Sequence, residues 1–242
     1  MKRFIPNTIT CCNLISGAVA TFFAFNNDYK IALIFIIIGA VFDFFDGFAA
    51  RLLKVSSPIG KELDSLADDI TFGLAPSAVV FSLMGEMPMP FEWIKYASFL
   101  IAAFSALRLA KFNLDERQTT SFIGLPTPAN ALFWSSLAIV LQNFNLQLTY
   151  LWAIFLLLII LSCWIMVSEV PMFALKFKTF SWNDNKLKFI FILSCLALIL
   201  LFLFIGKING CDVRFAPIPL IIVWYIILSC ITQKKVMTSK YE

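Results

Sequence analysis

The feature that most limits how this chain can fold is a recurrence of apolar runs, each about 20 residues long, with no long polar segment between them. Such a run crosses roughly 30 Å of hydrocarbon as a helix, and only helices or closed barrels satisfy their backbone groups there. The runs lie near 8–26, 31–54, 62–84, 92–112, 128–143, 148–168, 187–206 and 216–232. With 60% hydrophobic residues and 14% charged ones, the chain has too much apolar surface for one water-soluble core. The expectation is an all-α polytopic membrane bundle of about eight transmembrane helices, a single integral membrane domain over 1–242.

The start, MKRFIPNTITCCNLISGAVA, is basic and then apolar, as in a signal peptide. Asn13 interrupts the run, no small-residue cleavage site stands out, and further apolar helices follow directly, so it is read as the first helix. With both termini cytoplasmic, only Lys30, Lys95, Lys207 and Arg214 of the 19 basic residues fall outside, and the positive-inside rule is satisfied. The net charge of +4 then reads as an orientation signal and an attraction to anionic lipid headgroups, not as nucleic-acid binding. The longer inner links, 114–128 and 169–188, are expected on the membrane surface. No inverted repeat of the transporter kind is apparent.

Against this background the segment DFFDGFAARLLKVSSPIGKELDSLAD, Asp43 to Asp68, is costly. A charge at the centre of a membrane helix costs on the order of 2.5–3.5 kcal/mol even on lenient scales, so several together mark a functional site. On a helix Asp43, Asp46, Gly47, Ala50 and Arg51 form one stripe, and Gly60, Asp64 and Asp68 form another. Pro58 and Gly60 mark the turn between the two helices, which lets four carboxylates meet at the cytoplasmic end. Like charges so gathered repel unless a cation sits among them.

The chain contains no histidine, which excludes a His-based triad and a His-liganded zinc site. The six cysteines (Cys11, Cys12, Cys163, Cys195, Cys211 and Cys230) lack metal-ligand spacing and read as small buried or lipid-facing groups. Carboxylate oxygens alone suit hard ions, Mg²⁺ or Mn²⁺, and four suffice for two ions that neutralise phosphoryl groups. Gly47 and Ala50 leave room for a ligand against the helix, and Arg51 offers a bidentate phosphate contact. Spacing alone leaves two other readings open: a proton or cation path in a transporter, and an interhelical ion-pair network.

The stretch matches D-x2-D-G-x2-A-R-x8-G-x3-D-x3-D without gap or substitution. In this it resembles the CDP-alcohol phosphatidyltransferases. The resemblance implies a six-helix catalytic core over about 1–170, with two additional C-terminal helices near 187–232. It implies two divalent ions on Asp43, Asp46, Asp64 and Asp68, with Asp68 also the general base. It further implies that Gly47, Ala50, Arg51 and Gly60 shape the nucleotide and pyrophosphate pocket, and that Asn7 or Asn13 on the entry helix contacts cytidine.

The segments PNTITCCNLISG (6–17), LDSLADDITFGLAPS (63–77), RLAKFN (108–113) and FIGLPTPAN (122–130) resemble the membrane-integral phosphatidylserine synthases of bacteria and archaea. That implies CDP-diacylglycerol and L-serine as substrates, a homodimer, and a prokaryotic cytoplasmic membrane. Glycerol 3-phosphate, inositol phosphate or another alcohol remain alternative acceptors. One or more of Arg108, Lys111 and Asn113 then receive the serine carboxylate or a lipid phosphate. Read without the resemblance, they are a helix C-terminus whose dipole favours cations. Lys111 stands where such sequences often carry arginine, which keeps the charge but loses the planar fork. Gly124, Pro126 and Pro128 read as a rigid turn, Asp69 points off the acidic stripe, and the six tryptophans read as interface anchors.

Overall fold

The computed structural model describes residues 4–55, 57–115, 122–142, 144, 148–173, 182–208 and 211–238. Ser56, the middles of both long inner links, and the basic residues Lys2, Arg3, Arg117, Lys176, Lys178 and Lys240 lie outside the described residues.

Among the described residues the chain forms eight helical rods. The first two are α1 (Phe4–Phe25) and α2 (Tyr29–Leu53). The third is compound: α3 (Pro58–Asp68), a π-helical turn (Asp69–Leu74) and α4 (Ala75–Gly85). The fourth enters as a 3₁₀ helix (Glu92–Phe99) and continues as α5 (Leu100–Leu114). The remaining rods are α6 (Thr127–Leu141), α7 (Leu151–Val167), α8 (Trp182–Ile205) and α9 (Pro217–Thr238). Two antiparallel pairs of two-residue strands clip the connections, β1 (Phe122–Ile123) with β2 (Pro171–Met172) and β3 (Lys207–Ile208) with β4 (Cys211–Asp212).

Five rods are long and apolar enough to cross a membrane, while those at Thr127–Leu141, Leu151–Val167 and Pro217–Thr232 are shorter apolar helices. A helix rises about 1.5 Å per residue, which is why the shorter rods fall below a full hydrocarbon span on their own. The fold is the expected all-α polytopic bundle.

Local chemistry explains the ends that position the site. The Asp28 carboxylate accepts from the Ile31 N–H at 3.2 Å and caps α2. At the other end Lys54 adopts left-handed dihedrals (φ 51°), and its N–H and that of Val55 reach back to carbonyls of the last turn. Ser57 caps α3 by accepting from the Gly60 N–H at 3.0 Å, and Pro58 takes the first helical position, where its missing N–H costs nothing. Gly60 therefore belongs to the first turn of α3, not to the interhelical turn expected of it, and the rod starts at Pro58 instead of near 62.

The π turn is the larger departure from the expected continuous helix over 62–84. Pro76 follows it and has no N–H to return to the preceding turn, so the wider turn absorbs a defect that an unbroken α-helix would carry. Thr71, on that turn, wedges between α1 and α2. A Cβ at Gly17 would lie 2.6 Å from Thr71 Cα, and one at Gly39 would lie 2.5 Å from Thr71 Cγ2. Small residues thus permit this close approach.

The core gathers Tyr29, Leu33, Val79, Leu83, Trp134, Phe155 and Ile159. Trp134 is fully buried with its indole N–H on Ser162 Oγ at 3.3 Å, so it is a core residue and not the interface anchor expected from its type. Phe44, Phe45, Phe48 and Leu52 on α2 are exposed, while Asp46 on the same helix is buried. The acids face the bundle and the phenylalanines face outward, as membrane burial of charge requires.

Candidate active site

Three carboxylates converge at the junction of α2 and α3. One oxygen from each of Asp43, Asp64 and Asp68 lies within 4.8 Å of the others. Asp46, one turn along α2 from Asp43, is held apart from this triad: Thr10 Oγ1 donates to its Oδ2 at 2.6 Å. It remains near enough for its charge to act on Asp43, Asp64 and Asp68.

Asp68 has its own support. Asn13 Nδ2 donates to Asp68 Oδ1 at 3.0 Å, and Asn13 Oδ1 accepts from Thr71 Oγ1 at 2.8 Å. Asn13 is completely buried, so its amide is committed to Asp68 and the π turn. By contrast Asp64 Oδ1 is buried with no hydrogen-bond partner among the described residues.

Beside the triad, α1, α2 and the start of α3 enclose a cleft of about 240 Å³. Pro6, Asn7 and Thr10 line it from α1, Asp46, Gly47 and Ala50 from α2, and Val55, Ser57, Gly60, Lys61 and Asp64 from the turn and α3. Asn7 thus lies in the cleft and Asn13 behind the acids. A Cβ at Gly47 would meet Arg51 Nη1 at 3.4 Å, so the guanidinium folds back along its own helix over that glycine. A Cβ at Gly60 would lie 3.1 Å from Asn7 Oδ1, and its absence keeps α1 and α3 close at the cleft floor.

The expected cations on α5 separate. Arg108 is buried, has its guanidinium 5.6 Å from the Phe112 ring, and its charge reaches Asp68. Lys111 is exposed and donates to the Val167 carbonyl at 3.4 Å. Asn113 serves the α3–α5 contact: its Nδ2 donates to Ser65 Oγ at 2.7 Å, and its carbonyl accepts from Lys61 Nζ at 2.9 Å. Asp69 lies off the triad, against the backbone space left by Gly73 and close to Ser105.

The sequence profile of the CDP-alcohol phosphatidyltransferases matches residues 3–164. The chain belongs to this family. Among its relatives is the CDP-diacylglycerol–serine O-phosphatidyltransferase of Bacillus subtilis (strain 168), 40% identical over 126 residues, 52% of this chain and 70% of the relative. The protein of that name from Helicobacter pylori (strain ATCC 700392 / 26695) is 33% identical over 181 residues, 74% of each chain. That of Mycobacterium leprae (strain TN) is 34% identical over 137 residues, 54% of this chain and 45% of the relative.

As a CDP-alcohol phosphatidyltransferase the protein is a membrane enzyme of phospholipid biosynthesis, and its family uses divalent metals. The triad fits such an ion. Its donors are all carboxylate oxygens, the hard ligands that divalent magnesium-like cations take, and the unpartnered Asp64 Oδ1 is a buried acceptor without a donor. The matched span ends inside α7, so β2, α8 and α9 lie beyond the part of this phosphatidyltransferase that the profile covers.

Two polar residues at the site lie outside the acidic stretch, Thr10 on Asp46 and Thr71 on Asn13, while Ser57, the cap that orients α3, lies inside it. The signal for the first was present. Asn7, Thr10 and Asn13 recur every three residues on one face of an apolar helix, a polar stripe that lipid would not tolerate.

Proposed function

We propose that this phosphatidyltransferase moves the phosphatidyl group of CDP-diacylglycerol to the hydroxyl of L-serine, giving phosphatidylserine and CMP. The observation that carries the reading is the all-carboxylate triad beside a cleft, in a family member whose relatives bear the serine-enzyme name.

In this reading Asp43, Asp46, Asp64 and Asp68 hold two divalent ions, Mg²⁺ or Mn²⁺. Such ions supply charge neutralisation of the pyrophosphate. The cleft takes the nucleotide, with Gly47, Ala50 and Gly60 leaving space for it, Asn7 facing the cytidine, and Arg51 turning from Gly47 to a phosphate. Arg108 and Lys111 serve the acceptor side, while Asn113 keeps α5 against α3. The serine oxygen forms a bond to the lipid-bearing phosphorus as its proton passes to Asp68, and the phosphorus–oxygen bond to CMP breaks with its electron pair leaving on CMP. Asn13 holds Asp68 in the orientation this transfer needs.

The active site opens to the cytoplasm in this account, both termini are cytoplasmic, and the enzyme works as a homodimer in a prokaryotic inner membrane. The direct test is transfer of radiolabelled serine into extractable lipid by purified protein. The label should enter lipid only with CDP-diacylglycerol and a divalent ion present. Label staying in the aqueous phase under all conditions, with CDP-diacylglycerol consumed by another acceptor, would contradict the proposal.

A further inference from the structure

A second cavity, sharing no lining residue with the cleft, lies between α5 and the end of α7. Arg108, Lys111, Asp115, Ser168 and Glu169 are among its walls. Arg108 is the deep group: it is only 7% exposed, and its Nε has no hydrogen-bond partner among the described residues. A buried guanidinium with an unused donor is costly unless an acceptor meets it. Two cations alone would suit a carboxylate or a phosphate equally. The same cavity also carries two carboxylates, Asp115 and the exposed Glu169.

We propose that this cavity takes the acceptor as a zwitterionic amino acid, its carboxylate on Arg108 and Lys111 and its ammonium on Glu169 and Asp115. The inference rests on the serine reading above and deepens it. Paired charges of both signs complement an amino acid, while the two carboxylates repel a phosphate dianion, so the pocket disfavours phosphorylated alcohols. Anchoring the serine carboxylate at Arg108 directs the hydroxyl toward Asp68, because α5 packs against the π turn that begins directly after that acid.

At about 30 Å³ the cavity holds roughly one water molecule. The Lys111–Val167 contact, long at 3.4 Å, is the weak bond that gives way as Lys111 turns to the incoming carboxylate. Ser168 and Glu169 lie past the family-matched span, which ends at residue 164. Acceptor choice is thus assigned in part to a segment outside the profile, while donor chemistry stays within it.

The test uses the full chain in mixed micelles with saturating CDP-diacylglycerol. Initial rates are measured with L-serine, with 3-hydroxypropionate (serine lacking its amino group) and with glycerol 3-phosphate, for wild type, E169Q and E169Q/D115N. Glu169 is exposed, so its substitution does not threaten the core. The expected result is a rise of about tenfold in the KM for serine, with the KM for 3-hydroxypropionate unchanged and discrimination against glycerol 3-phosphate reduced. An unchanged serine KM in both variants, or an equal rise for serine and 3-hydroxypropionate, would overturn the ammonium site. Wild type using glycerol 3-phosphate and ignoring serine would instead overturn the serine reading, and this inference with it.

Discussion

Asn13 and Asp68, on helices α1 and α3, are joined by a 3.0 Å hydrogen bond in which the amide donates to the carboxylate. The other end of the same amide accepts from Thr71 on the π turn, so one buried side chain ties the acid to the irregular turn that follows it. Asn13→Ala removes both bonds; Thr71 Oγ1 keeps the Asn13 backbone carbonyl at 3.0 Å, so the group left stranded is Asp68 Oδ1, at a cost of about 1–3 kcal/mol. The expected outcome is a kcat at least about tenfold lower with the KM for CDP-diacylglycerol little changed. Steady-state kinetics in detergent micelles read both quantities.

Asp68→Asn keeps the size of the side chain and removes its ability to accept a proton. Turnover should fall by about 100-fold or more, the scale of a lost general base. CMP should still bind, as equilibrium dialysis would show. Normal turnover in this variant would take the base role from Asp68.

The triad and Asp46 should separate on metal titration. Asp64→Ala removes an unpartnered buried oxygen from the triad, whereas Thr10→Ala only frees the oxygen of Asp46 that Thr10 now holds. Mn²⁺ binding followed by electron paramagnetic resonance should be lost in the first variant, which removes a ligand, and weaken by about 10-fold to 100-fold in the second, which removes a hydrogen bond behind one.

Arg51→Lys replaces a planar fork with a point charge. The KM for CDP-diacylglycerol should rise by about tenfold, matching the loss of one arm of a bidentate phosphate contact. Gly47→Val, which places bulk where the guanidinium now folds back, should act in the same direction.

Gly17→Ala tests packing with no chemistry attached. Its Cβ would fall 2.6 Å from Thr71 Cα and 2.8 Å from Thr71 N, contacts that backbone atoms cannot yield without moving the π turn. Overpacking of this kind costs about 1–3 kcal/mol. The melting temperature in detergent should drop, and activity should drop with it, because the displaced turn begins directly after Asp68.

The acidic stripes were legible in the sequence because helical periodicity alone puts Asp43 beside Asp46 and Asp64 beside Asp68, and because lipid makes every acid conspicuous. The rods were legible for the same reason. What lay beyond reach was the contact between segments far apart in the chain. Nothing local says that Asn13 turns to Asp68 and away from the cleft, or that Thr71 fits between Gly17 and Gly39. The π turn had a local sign in Pro76, inside an otherwise continuous apolar helix. Asn113 shows the limit from the other side: a polar residue beside two cations reads as part of a binding group, while its amide joins α5 to α3 through Ser65.

In the proposed reaction the acids beside the cleft direct transfer of a phosphatidyl group to serine. The most direct measurement is CMP release from CDP-diacylglycerol by the purified protein, with L-serine, glycerol 3-phosphate and inositol phosphate supplied in turn and a divalent ion present. Rapid CMP release is expected with serine, little with either phosphorylated alcohol, and none when the ion is chelated. Release driven by glycerol 3-phosphate or inositol phosphate and not by serine would contradict the proposed reaction.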